Sequence, residues 1–213
     1  MVQKELEAGT EVKPARGRPR AYDPGEALAR ATGAFWRAGY SATSLDELAA
    51  ATGMNRPSLY GAFGDKRALY LAALARYAAA GRAAMDAALG GERPLREALK
   101  RVYTAALKMY FPAEETARGC FLIGTAAAES VTDADVRAVL RESLRSFDQA
   151  FESRLRRAQA DGELAANVEP AILARVASAL LHTLALRSRA GDSRAELLAT
   201  AQAGIELICG AAR

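Results

Sequence analysis

The chain has 213 residues, enough for one large domain or two small ones with a real core, and its 51% hydrophobic and 25% charged residues are ordinary for a globular protein. A net charge of +4 leans toward polyanions without requiring one, and the two cysteines, Cys120 and Cys209, are too few and too far apart for a secreted disulfide framework or a zinc site. Alanine dominates the apolar residues and valine and isoleucine never alternate with polar residues over a strand length, so an all-α fold with about nine helices is expected.

The N-terminus, MVQKELEAGTEVK, has no apolar core, so no signal peptide is expected and the cytoplasm is the default location. Residues 1–20 lack periodicity and read as a flexible basic arm, in which Lys13, Arg16, Arg18 and Arg20 have no acidic residue among them. Charge alone leaves two readings open there, a solvated tail and an arm that tracks a polyanion.

The first helix is expected to start at Asp23 as cap, with Pro24 in its first turn and Glu26 three residues after the cap. Leu28, Ala31 and Phe35 form its apolar stripe with Trp36 alongside, and Gly39 ends it. Ser44 and Glu47 then have the spacing of a capping box, and Leu45, Leu48 and Ala49 fall on one face of a short second helix. Gly53 suits the left-handed residue that turns the chain, Asn55 caps a third helix, and Pro57 is tolerated in its first turn. Two short helices, a glycine turn and an arginine-bearing second helix describe a helix-turn-helix.

That reading gives residue roles. The N-terminal side chains of a recognition helix reach base edges, which singles out Asn55, Arg56, Pro57 and Ser58, with arginine the best fork for guanine. Tyr60 can offer a hydroxyl to a phosphate or a ring face to a thymine methyl. Lys66 stands at the start of the fourth helix, and Thr43 and Ser44 at the start of the second, where free amides favour a phosphate.

Asp65 caps that fourth helix, which runs toward Leu89, and the boundary between residues 21–70 and 71–213 falls within it. A fifth helix carries Leu95 to Tyr110, Pro112 to Gly119 is a loop, and Cys120 to Ser130 a short apolar helix. Asp133 caps a long amphipathic helix ending near Gly162, Pro170 opens another, and Gly191-Asp192 restarts the chain for the last. The longest apolar run, Val176 to Leu186, holds His182 and Thr183 and is too short to span a bilayer, so no membrane is expected.

The residues that follow Asn55 and precede it together resemble the TetR family of bacterial repressors. The matching features are the arm GRPR, then AxxxFWRAGY, then TSLDELAAATGMNRPSLYGAFGDKRALY, with RGCFLIGTAAAES from Arg118 similar to a stretch in many members' second domain. The resemblance implies a homodimer on an inverted-repeat operator in double-stranded DNA, and a helical C-terminal domain that binds a small-molecule inducer. Gly61 and Ala62 depart from the aromatic and histidine that many members carry after the recognition-helix tyrosine, which shifts the expected readout toward Arg56, Ser58 and the arm.

Apolar and aromatic residues of the second half, Met85, Tyr103, Leu107, Tyr110, Phe111, Phe147 and Phe151, are candidates to line a pocket or to be plain core. His182, the sole histidine, is a candidate polar contact, and Cys120, following Arg118, a candidate ligand-site or electrophile-sensing thiol. The last two helices carry Ile172, Val176, Leu180 and Leu184, then Leu197, Ala201, Ile205 and Ile208, expected to pair with a twin. No cofactor or metal is expected. One histidine, no Gly-rich phosphate loop and no HExxH or GxSxG argue against an enzyme, with a Cys120–His182 pair as the alternative and a non-specific DNA binder as a third reading.

Overall fold

A computed structural model describes residues 22–112 and 117–210, and among them the chain is all α-helical. The helices are α1 (Pro24–Ala38), α2 (Leu45–Thr52), α3 (Arg56–Phe63), α4 (Lys66–Leu89), α5 (Leu95–Tyr110), a π-helical turn (Leu122–Ala126) running into α6 (Ala127–Glu129), α7 (Ala134–Ala160), α8 (Pro170–Ala190) and α9 (Arg194–Cys209).

Side chains mark most helix starts. Asp23 accepts from the amides of Gly25 and Glu26 at the head of α1, while Glu26 turns away to pair with Arg30 at 2.6 Å, so this end is a simple cap rather than a reciprocal box. Ser44 and Glu47 do form the reciprocal box on α2, as Ser193 and Glu196 do on α9. Gly53, at φ 69°, is the left-handed stop that lets α3 leave α2 at an angle.

Helix α1 packs on α2 and α4, and α3 rests on α2 and α4. Ala31, Phe35 and Leu48 are fully buried there. An aromatic cluster ties this small unit to the rest: Tyr70 on α4 stands 5.1 Å from Phe35 and 5.9 Å from Phe121, which leads into the π-helical turn. The larger unit pairs α4 with α5 and α7, α7 with α8, and α9 with α5 and α8. Leu99, Leu107, Phe151, Leu155, Leu184 and Leu197 fill its core. Where α8 and α9 pack, a Cβ on Gly204 would press on the end of the Leu180 side chain, so the glycine leaves room for Leu180 to lie against α9.

Helix α8 corrects one expectation. With 21 residues and mean hydropathy 1.2 it is long and apolar enough, by length and composition, to cross a membrane, because helix continues on both sides of the run from Val176 to Leu186. It is a packed helix of the bundle against α5, α7 and α9, and 39% of its apolar window is buried.

Candidate nucleic-acid interface and ligand cavity

The exposed face of α2 and α3 is assembled by local bonds. Asn55 accepts from the Ser58 amide at 2.8 Å, fixing the first turn of α3 and presenting Arg56, Pro57 and Ser58 together at its start. Arg56 is exposed, and its guanidinium makes two bonds, 2.6 and 2.9 Å, to Asp46 on α2. This exposed pair orients the fork without burying it, so a base or phosphate acceptor can replace the carboxylate. Tyr60, one turn further, is 47% exposed. Lys66 sits 4.5 Å over the Tyr40 ring at the head of α4, which extends the cation along the same side.

Two expectations change here. Thr43 is buried, and its hydroxyl donates to the Gly39 carbonyl at 2.6 Å, so it secures the turn after α1 and does not face a phosphate. Ser44 is exposed, but its hydroxyl and amide are both engaged with Glu47, whose carboxylate is held below the ordinary glutamate range by those bonds. Arg16, Arg18 and Arg20 lie outside the described residues.

A cavity of about 410 Å³ lies behind this unit. Its walls are small residues of α4 and α5 (Ala80, Gly81, Ala84, Ala105, Ala106) between larger ones: Tyr77 and Met85 on α4, Met109 and Tyr110 on α5, Phe147 on α7, and Leu181 and His182 on α8. Trp36 of α1 closes one side, with Arg118 and Cys120 beside it. Its indole N–H donates to the Arg118 carbonyl at 3.2 Å, the Arg118 guanidinium lies 4.0 Å over its ring, and Tyr77 meets it edge-on at 5.0 Å.

Of the expected pocket residues, Met85, Tyr110, Cys120, Phe147 and His182 are on this wall. Tyr103, Leu107, Phe111 and Phe151 are not. Tyr103 stacks on Phe151 and donates its hydroxyl to the Ala177 carbonyl at 3.1 Å, Leu107 is fully buried core, and Phe111 is the half-buried end of α5. Beside the small residues of α4 and α5, the wall residues that sequence reasoning missed are Trp36, Tyr77, Val102, Met109, Arg118 and Leu181. Trp36 carried a signal, an aromatic beside the main stripe of the first helix; alanine and glycine at Ala80, Gly81 and Ala84, small residues one turn apart on a long helix, were another.

The chemistry of the wall is quiet. Burial pushes the Cys120 thiol up, outweighing the Tyr77 hydroxyl that donates to its sulfur at 3.4 Å and pulls the other way, so the thiolate that a sensing or nucleophilic cysteine needs is disfavoured. Burial also lowers the basicity of His182, against a smaller opposing pull from Asp148, and so favours its neutral form. A Cys120–His182 ion pair therefore has both partners biased to the uncharged form. No group of three or more histidine, cysteine, aspartate or glutamate side chains suited to a metal occurs among the described residues.

The residues expected to face a twin divide into two sets. Ile172 and Val176 are 63% and 52% exposed, and Leu186 on the same side of α8 is 54% exposed. Leu184, Leu197, Ala201, Ile205 and Ile208 are instead buried within the chain, because α8 and α9 turn those stripes against α5 and α7 and each other. Leu180 is half-buried over Gly204, while Leu198 and Leu207, 39% and 84% exposed, flank the buried stripe of α9 on opposite sides.

Comparison with known proteins gives a consistent answer. Residues 27–73 match the family model described as bacterial regulatory proteins, tetR family, and residues 92–203 that described as tetracyclin repressor-like, C-terminal domain. The chain is 32% identical over 196 residues to the HTH-type transcriptional repressor ComR of Escherichia coli, covering 92% of this chain and 93% of that one. Among solved structures it resembles a cysteine mutant of the regulator CifR bound to a 26 bp double-strand operator, with TM-score 0.76, 32% identity and coverage of 89% and 98%. The reduced form of E. coli NemR shares the fold, with TM-score 0.77 at 24% identity over 89% and 98% of the two chains.

Proposed function

This chain belongs to the TetR family of bacterial regulatory proteins, and we propose that it is a repressor released from an inverted-repeat operator when a small molecule fills the cavity behind α1. That it is a DNA-binding transcriptional regulator follows from the family; release and operator symmetry are our reading. The observation that carries the reading is Trp36: a side chain of α1, in the unit that presents the recognition helix, is also a wall of the cavity.

In this reading residues 21–70 bind DNA and residues 71–213 hold the ligand and the dimer contact, with the basic segment 1–20 as an arm. Arg56 and Ser58 meet base edges, Tyr60 and Lys66 the backbone, and the arm adds Arg16, Arg18 and Arg20. The molecule works as a homodimer through the outer face of α8 and α9, in the cytoplasm, and as a binding protein rather than an enzyme. A ligand acts only by preferring one of two arrangements of α1 against α4. A guest that fits with Trp36 displaced weakens DNA binding by shifting the population away from the arrangement that fits the operator.

Selection of duplexes from a random pool by the purified full chain, at roughly physiological salt, tests this. The expected product is one inverted repeat with half-sites about one helical turn apart. Recovery of sequences with no shared preference overturns it in favour of a non-specific DNA binder.

A further inference from the structure

We propose that the cavity takes a compact, uncharged aromatic molecule bearing one hydroxyl group, and that this hydroxyl is bound by Nε2 of His182. The inference rests on the ligand-released reading above and narrows it to a chemical class.

Three observations carry it. The volume of about 410 Å³ is at the lower end of small-molecule sites, which run from roughly 300 to 1,000 Å³, and suits one or two rings. The wall is aromatic and soft, with Trp36, Tyr110 and Phe147 offering ring faces and edges at which another ring packs well. Polar recognition then falls on few atoms. Nε2 of His182 is buried and has no hydrogen-bond partner, a state that costs free energy until something pairs with it. The Tyr77 hydroxyl donates to sulfur, 3.4 Å to Cys120 and 3.6 Å to Met109, and sulfur is a weak acceptor that an oxygen displaces.

The lowered basicity of the buried imidazole favours an uncharged guest. A neutral ring nitrogen pairs with a hydroxyl, whereas a carboxylate would need a cation to offset its desolvation among rings and sulfur. Arg118, the cation on this wall, lies over the Trp36 ring, and a carboxylate probe tests whether it serves an anion instead.

The test uses the full chain and three probes of one shape: 4-phenylphenol, biphenyl and biphenyl-4-carboxylate. Trp36 is the single tryptophan of the sequence, so its emission, excited at the red edge of the indole band, reports occupancy, with calorimetry as the second readout. The phenol is expected to bind about tenfold tighter than biphenyl, the scale of one buried hydrogen bond, and the carboxylate more weakly than the phenol. His182→Leu is expected to bring the ratio of phenol to biphenyl affinity from about tenfold to about one, whatever it does to both affinities together; His182→Gln, which keeps a polar group, is expected to restore part of that ratio.

Equal binding of phenol and biphenyl, tighter binding of the carboxylate, an advantage that survives in His182→Leu, or no binding of any probe overturns the proposal. The same probes are then added to the operator complex. Binding at Trp36 without release of DNA overturns the ligand-released reading and leaves the cavity chemistry standing.

Discussion

Arg56 shows how a residue can be placed by one partner and used by another. Its two bonds to Asp46 hold the guanidinium at the head of α3 while leaving it exposed. In the proposed reading DNA displaces that carboxylate, so the pair would set a competition between Asp46 and a base edge. Asp46→Asn is expected to tighten binding to all duplexes, by removing a repulsive charge and freeing the fork. Arg56→Ala is expected to weaken operator binding about ten- to a hundred-fold and relax preference at one base pair per half-site. Titrations of both variants on operator and scrambled duplexes check this, and a uniform loss across sequences in Arg56→Ala would make it a phosphate contact. Much of this surface was legible in the sequence, because caps, a turn glycine and an arginine after an asparagine are local signals. Thr43 was not: its spacing is that of a helix start, but its hydroxyl finds the Gly39 carbonyl first. The cavity was half legible, since an aromatic residue declares that it is buried and leaves open which void it borders. Tyr103 and Tyr110 are both buried on α5 and only the second borders the cavity.

Among the elements, the junction of α4 with α7 has an electrostatic clasp. Arg67 in the first turn of α4 bonds Asp133 at 2.6 and 2.8 Å and Asp135 at 2.7 Å, while Asp133 also caps α7 by accepting from the amides of Asp135 and Val136. The Arg67 guanidinium, with those amides, pulls the Asp133 carboxyl down to about 2. A carboxyl whose folded value lies below its unfolded value of about 3.9 contributes stability that is present above pH 4 or so and lost as pH falls toward about 2. Asp133→Asn keeps a capping side chain and loses the charge. Thermal melts between about pH 5 and pH 2 are therefore expected to fall more steeply for the native chain than for Asp133→Asn. Parallel curves would show that the clasp contributes nothing to this pH dependence. Sequence reasoning found Asp133 as a cap and missed Arg67, because a cap is local and its partner lies 66 residues away.

For the whole molecule, the proposed homodimer turns on which apolar surface would meet a second copy. An alanine-rich helix is permissive on every side, so the periodicity of α8 and α9 could not say which stripe turns inward, and packing against α5 and α7 decides it. Leu184 and Ile205 are buried in their own chain, whereas Ile172 and Val176, one turn apart on α8, leave more than half their surface in water. A free surface does not ordinarily keep a row of such residues with Leu186 in line. The two sets predict different failures. Leu184→Ala removes core and is expected to cost about 2–5 kcal/mol of stability, with any remaining folded protein still dimeric. Val176→Lys places a charge where water already reaches, so the melting behaviour of the isolated chain is expected to hold while the dimer separates. In the proposed dimer two recognition helices one turn apart would bind a symmetric site together, so the monomer is expected to lose operator affinity by orders of magnitude and keep weak single-site binding. Sedimentation of the two variants, beside operator titration, separates the cases: a dimeric Val176→Lys with native affinity would move the interface off the outer face of α8.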